Sequence, residues 1–325
     1  MTSEKKKTFL LCIVLILLLI VVLLLVLAIG KAFITVPANQ GGVAFTELDI
    51  KEGMSLKEAK ELLDAQGIQY EVIPTSSRIA NTVEQIDHTG KEQNGKIVIA
   101  SHSKIKLYAN EVGKDKVIYL TFDDGPTRDN THDILDKLQA YGIKASFFVE
   151  GRDVERYPER MEATFLRGHY IACHSHTHEL ESIYSSTNAF ITEIKQYENA
   201  MIEAIGKENF ETYEKIIRFP GGTNNAFLTK SESLKYIAKV RELGYAVYDW
   251  TALTGDAEGI TDAPTFISNL SSSLSKAKNA GLDLIVLMHD KWNTNEALND
   301  ILAYLFSEGY YFDTINNCPE YTFVE

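Results

Sequence analysis

The chain has 325 residues, of which 45% are hydrophobic, and a formal net charge of −13. Residues 1–30 hold Lys5, Lys6, Lys7 and Glu4, a net +2, so residues 31–325 carry −15. A body this acidic offers no basic face for nucleic acid and no electrostatic docking on anionic lipid, while the length suffices for one large domain or two moderate ones.

The first predicted element is a membrane anchor. Residues 9–29 are 21 consecutive apolar positions, which as a helix at roughly 1.5 Å per residue span about 30 Å, the thickness of a bilayer core. The lysines precede the run and Lys31 follows it without a small-residue cleavage pattern. The expectation is an uncleaved single-pass anchor with a cytoplasmic N-terminus and the rest of the chain outside, in the cell membrane and facing the wall; a long signal peptide that is removed is the alternative. With that run removed, the body is about 42% hydrophobic, ordinary for a globular protein. Cys12 lies in the run, leaving Cys173 and Cys318, which are expected to be free, buried thiols.

Residues 31–45 read as a stalk punctuated by Pro37 and Gln40-Gly41-Gly42. Residues 46–110 read as a small α+β module. Ser55 and Glu58 predict a capping box, Leu56, Ala59, Leu62 and Leu63 a helical apolar face, and Gly67 its stop. Strands are expected over 69–73, 83–86, 96–100 and 104–108. The stretch 53–72 (GMSLKEAKELLDAQGIQYEV), Thr82-Val83 and the closing SKIKLYAN resemble a PASTA module. That resemblance implies a wall-facing spacer or peptidoglycan-binding unit; an unrelated spacer is the alternative.

After the polar linker 111–116, short apolar runs alternate with amphipathic helices through 117–325: strands near 117–122, 145–149, 170–173, 216–219, 246–250 and 284–288, and helices near 131–141, 154–167, 188–206, 232–242, 263–279 and 295–307. Such alternation predicts parallel βαβ units, and six or seven in about 210 residues predict a distorted (β/α) barrel. Barrel chemistry sits at strand C-termini, and five strand ends here carry polar groups: Asp123-Asp124, His174 to His178, Arg218, Asp249-Trp250, and His289-Asp290.

His174 and His178, four apart, share a face if a helical turn begins there; His174 and His176 share one if the segment stays extended. Adjacent Asp123 and Asp124 on an extended strand point opposite ways, so one can bind a cation while the other handles protons, with Arg218 as a counter-charge. One Asp and two His with open positions admit a non-haem iron oxygenase or hydrolysis by a metal-activated water. The local histidine pair and the surrounding second Asp, Arg and late His favour hydrolysis.

The ordered segments TFDDGP (121–126), HSHTH (174–178), RFPGG (218–222), 250–256 and LMHD (287–290) closely resemble the polysaccharide deacetylases of the NodB-like fold, carbohydrate esterase family four. The resemblance covers about 116–310. It implies that Asp124, His174 and His178 bind a divalent metal, with zinc expected and manganese, cobalt or iron as alternatives. It implies Asp123 as general base, Arg218 as its orienter, His289 as general acid and Asp256 as the residue tuning it. Leu287 would line the acetyl groove, with Trp250 or Trp292 compensating there for the aromatics missing at Gly221 and Ala257, and the Gly221 N–H would help hold the oxyanion. Two positions depart from the family pattern: Gly221 stands where an aromatic is common, and Ala257 where Trp often follows the acid.

Anchor and motifs together predict a metal-dependent N-deacetylase of cell-wall glycan, with N-acetylglucosamine of peptidoglycan as substrate. The alternatives are an exopolysaccharide or N-acetylmuramic acid as substrate, or a non-catalytic wall-binding protein. No protein partner is predicted.

Overall fold

The computed structural model describes residues 44–101 and 103–324. The predicted anchor and nearly all of the stalk lie outside them. Among the described residues no helix is long and apolar enough to cross a membrane.

The first part of the chain runs β1 (Phe45–Leu48), α1 (Leu56–Ala65), β2 (Gln69–Ile73), β3 (Gln85–Asp87), β4 (Lys91–Gln93), β5 (Lys96–Ala100) and β6 (Lys104–Tyr108). The Ser55 hydroxyl accepts from the Glu58 N–H at 3.2 Å, and Gly67, at φ 66°, turns the chain out of the helix. Two small sheets form, β1-β5-β4 and β2-β6-β3. The hairpin β4–β5 turns through Asn94 and Gly95, both at positive φ, as a two-residue turn requires. Leu48, Leu56, Leu63, Val83, Ile99, Ile105 and Leu107 form this region's own core.

The remainder runs β7 (Val117–Gly125), α2 (Thr131–Ala140), β8 (Ser146–Val149), α3 (Gly151–Arg156), α4 (Pro158–Leu166), β9 (Tyr170–Cys173), α5 (Leu180–Ile183), α6 (Thr187–Ile205), α7 (Lys207–Phe210), β10 (Ile216–Ile217), α8 (Lys230–Glu242), β11 (Ala246–Val247), β12 (Ala252–Leu253), α9 (Ala263–Asn279), β13 (Leu284–His289), α10 (Trp292–Ser307) and β14 (Tyr311–Asp313). Pro158, first residue of α4, divides the single helix expected over 154–167 into two. The strands form one parallel sheet of order β11-β10-β9-β8-β7-β13-β12, with β14 added beside the start of β7. The sheet curls into a half-barrel: the end strands β11 and β12 do not pair, so the barrel is open.

Strand alternation sorts the side chains into two cores. Tyr119, Phe148, Tyr170, Ala172, Ile216, Tyr248 and Ile285 fill the inner face. Ile118, Leu120, Phe122, Phe147, Val149, Ile171, Cys173, Ile217, Val286 and Met288 pack outward against the helices. Cys173 and Cys318 are free and buried.

The small N-terminal region meets the barrel at the N-terminal ends of the strands. Ala80 N–H donates to Phe312 O at 2.9 Å, Phe312 N–H donates to Arg78 O at 2.8 Å, and the Arg78 guanidinium lies 5.0 Å over the Tyr311 ring. A cleft of about 1030 Å³ opens there, lined by residues such as Lys51, Glu58, Lys144 and Asn317. It is at the opposite end from the polar strand termini.

Candidate active site

Thr121 and Asp123 continue the inner face of β7. The strand then bulges: its register with β8 shifts between Asp123 and Gly125, and Asp124 takes φ 67°. A left-handed residue resets the alternation, so the two carboxylates converge instead of pointing apart as an extended strand predicts. His174 Nε2 lies 3.7 Å from Asp123 Oδ2 and 3.6 Å from Asp124 Oδ1. Gly125 passes so close to Asp290 that a Cβ there would lie 2.7 Å from its Oδ2. Asp290 is buried and accepts from the Thr127 and Thr131 hydroxyls at 2.8 and 2.5 Å, tying down the turn after β7.

The histidine segment is neither a helical turn nor an extended strand. Ser175 and His178 are both left-handed, at φ 69° and 57°, and the Ser175 hydroxyl accepts from the His178 N–H at 3.0 Å. This brings the His174 and His178 rings to 5.0 Å between centroids. His176 turns away and packs on Gly151. Behind the loop, Glu193 of α6 accepts from the N–H groups of His176 and Thr177 at 2.9 and 2.8 Å.

His174 Nδ1 lies 2.9 Å from Arg218 O. A carbonyl oxygen only accepts, so Nδ1 carries the hydrogen and Nε2 presents its lone pair. Burial pushes the His174 pKa down, in favour of the neutral, ligating form. Burial pushes Asp124 up, but the neighbouring His174, His289 and His178 and the Lys291 ammonium outweigh it and hold the carboxyl below its usual range. Asp124 Oδ1 is buried and has no hydrogen-bond partner. It and one ring nitrogen each of His174 and His178 lie within 4.8 Å of one another. An orphaned carboxylate oxygen facing two imidazoles fits a divalent cation, and the mixed oxygen and nitrogen set suits a borderline ion such as zinc.

Arg218 follows β10 on the inner face and is fully buried. Its Nη1 donates to Asp123 Oδ1 and to Thr121 Oγ1, both at 2.7 Å, Nη2 donates to Asp249 O at 3.0 Å, and Nε donates to Tyr248 O at 3.2 Å. The Phe148 ring centroid is 4.0 Å from the guanidinium carbon. Planar Arg satisfies four acceptors at once, which Lys cannot.

His289 ends β13 in register with Asp123. Asp256 grips it twice, accepting from its backbone N–H at 2.7 Å and lying 2.9 Å from ring Nδ1. Thr294 donates to the same carboxylate at 2.5 Å. Burial lowers the His289 pKa, but the hydrogen bond and charge of Asp256, with Asp123 and Asp124 beyond, overcome it and raise the pKa above the ordinary histidine value.

Leu287 lies two residues before His289 on the same face, in register with Thr121. Trp250 packs on Gly222 and edge-on to Phe323, 5.9 Å from the Arg218 guanidinium. Gly221 takes φ 75° in the turn after Pro220 and is exposed. Ala257 is exposed.

Sequence reasoning overlooked several neighbours. Lys291 Nζ is 3.6 Å from Asp124 Oδ2. Glu150, at the end of β8, is buried, and that burial with the nearby Asp124 charge pushes its carboxyl up to about 8. Asp249 accepts from Thr223 and from the Phe323 N–H, holding the 218–223 turn to the last described residues. Asp249 was singled out at its strand end but given no role; Lys291 stands just beyond a strand end, where it was findable; Glu193, inside a helix, carried no signal.

Fold and site together define an α/β half-barrel with a two-histidine, one-aspartate cation site beside a buried Asp–Arg pair. Residues 110–246 match the family model described as polysaccharide deacetylase. The chain is 31% identical over 212 residues to a peptidoglycan-N-acetylglucosamine deacetylase of Bacillus cereus, covering 62% of this chain and 70% of that one. A second B. cereus protein of the same name is 31% identical over 214 residues, 64% of this chain and 90% of the other. The solved catalytic domain of peptidoglycan N-acetylglucosamine deacetylase from Eubacterium rectale superposes with a TM-score of 0.55 at 30% identity, covering 64% of this chain and 92% of that domain. The chain belongs to the polysaccharide deacetylase family and is a hydrolase of that kind.

Proposed function

We propose that the protein hydrolyses the N-acetyl group of cell-wall glycan, with N-acetylglucosamine of peptidoglycan as substrate, in a reaction that depends on a divalent metal, zinc first among the candidates. The observation that carries this reading is the convergence of the Asp124, His174 and His178 donor atoms beside Asp123 and opposite His289. When bound, a divalent cation lowers the pKa of a water molecule and polarises the acetyl carbonyl. Asp124, His174 and His178 would hold it.

Asp123 takes the proton of the attacking water, and Arg218 fixes the carboxylate for that transfer. His289 delivers a proton to the amide nitrogen as the C–N bond breaks, so one water is consumed and acetate and a free amine result. On this reading the Gly221 N–H takes the oxyanion role, and Leu287 and Trp250 line the acetyl groove. Residues 9–29 are proposed to anchor the enzyme with its catalytic part facing the wall, where the free amines left behind would make the glycan a poorer substrate for lysozyme-type hydrolases.

Full-length protein supplied with zinc is expected to release acetate from peptidoglycan or N-acetylglucosamine oligomers, to lose this on chelation and to regain it on metal addition. Absence of acetate from every such glycan, with metal bound, would overturn the reading. A general acid must be protonated, and Asp256 keeps His289 protonated to higher pH. Asp256→Asn is therefore expected to move the alkaline limb of the kcat/KM profile to lower pH; an unmoved limb would remove Asp256 from this role.

A further inference from the structure

We infer that Lys291, with Trp292 beside it, determines specificity by selecting glycans that carry a carboxylate next to the scissile acetamido group. The inference rests on the deacetylase reading above. Asp124 divides its oxygens: Oδ1 faces the two imidazoles and Oδ2 faces Lys291 Nζ at 3.6 Å. The ammonium is thereby fixed on the rim of the site, its side chain 39% exposed.

Its charge is largely unspent there. An ammonium has three N–H donors, and 3.6 Å exceeds the length of an ordinary N–H···O bond. The neighbouring acids are engaged elsewhere. Asp290 is buried against Thr127 and Thr131, and Asp256 is occupied by His289 and Thr294. Arg152, by contrast, already pairs with Glu150 at 3.2 Å and Glu179 at 3.5 Å.

Trp292 follows directly and is 61% exposed, although Asn293, Thr294 and Asn295 of the same helical turn are buried. A large indole left in water beside a sugar-amide site offers a flat apolar face for a pyranose ring. Lysine and tryptophan together suit a sugar bearing an acidic substituent. In peptidoglycan strands freed of their stem peptides the sugar next to N-acetylglucosamine carries a free lactyl carboxylate; oligomers of N-acetylglucosamine alone carry none.

The test compares full-length wild type, Lys291→Met, Lys291→Arg and Lys291→Glu on a peptide-free glycan tetramer of alternating N-acetylglucosamine and N-acetylmuramic acid and on N-acetylglucosamine pentamer. The ratio of kcat/KM for the acidic over the neutral glycan is expected to fall about tenfold in Lys291→Met, mainly through KM, to fall further in Lys291→Glu and to persist in Lys291→Arg. An unchanged ratio overturns the inference, as does loss of bound metal from Lys291→Met with the ratio intact. Calorimetric binding of both glycans to wild type and Lys291→Met gives the same discrimination without turnover. If neither glycan releases acetate from the wild type, the deacetylase reading fails while the binding comparison still decides the role of Lys291.

Discussion

Asp123→Asn is expected to lower acetate release by about three orders of magnitude, the effect of removing a general base, while the metal stays bound. Asp124, His174 and His178 are the cluster that could hold the cation, and the substitution replaces none of them. Asn retains an oxygen to accept from Arg218 Nη1 but is not a proton acceptor at neutral pH. It also leaves a fully buried guanidinium without its carboxylate, so stability should fall as well, by up to about 3 kcal/mol. Metal content, a denaturation curve and an acetate assay on one preparation separate these effects. A folded, metal-loaded Asp123→Asn protein that turns over at the wild-type rate would exclude Asp123 as the base.

The second large effect is expected at Arg218. Arg218→Met keeps the volume but strands the Asp123 carboxylate, which is only 3% exposed, and removes the donors that serve Thr121, Tyr248 and Asp249. Breaking a buried pair from one side costs about 3–5 kcal/mol, and in a protein of this size that lowers Tm by about 10 °C. Arg218→Lys should recover little, because one ammonium cannot reach four acceptors arranged around a planar fork. Thermal unfolding followed by far-ultraviolet circular dichroism measures this; a Tm within about 2 °C of wild type would show that the pair does not hold the inner face together.

Much of the barrel was legible because apolar runs are what a sheet buried on both faces requires, and the residues bearing chemistry stand at the ends of those runs. Strands 69–73, 96–100, 104–108 and 170–173 appear where expected. The short strands β12 and β14 and the polar β4 escaped because two or three residues carry no readable period. The site was legible in its residue types but not in its geometry. Convergence of Asp123 and Asp124 depends on one left-handed residue, and the meeting of His174 with His178 on two more. A side chain's spacing says nothing about a backbone that leaves both the helical and the extended regions. Glu193 escaped for another reason: its role arises only from what folding brings beside it.

The join at Phe312 has a mechanical meaning. Hydrogen bonds from Arg78 and Ala80 graft the small N-terminal region onto β14, which is itself laid along the first three residues of β7. From there β7 runs from Val117 to Asp123, about 20 Å at strand rise, before the bulge that presents Asp124. The small region is therefore a plinth rather than a tether. Anything bound to it leaves the polar strand ends facing the other way, at the far end of the half-barrel.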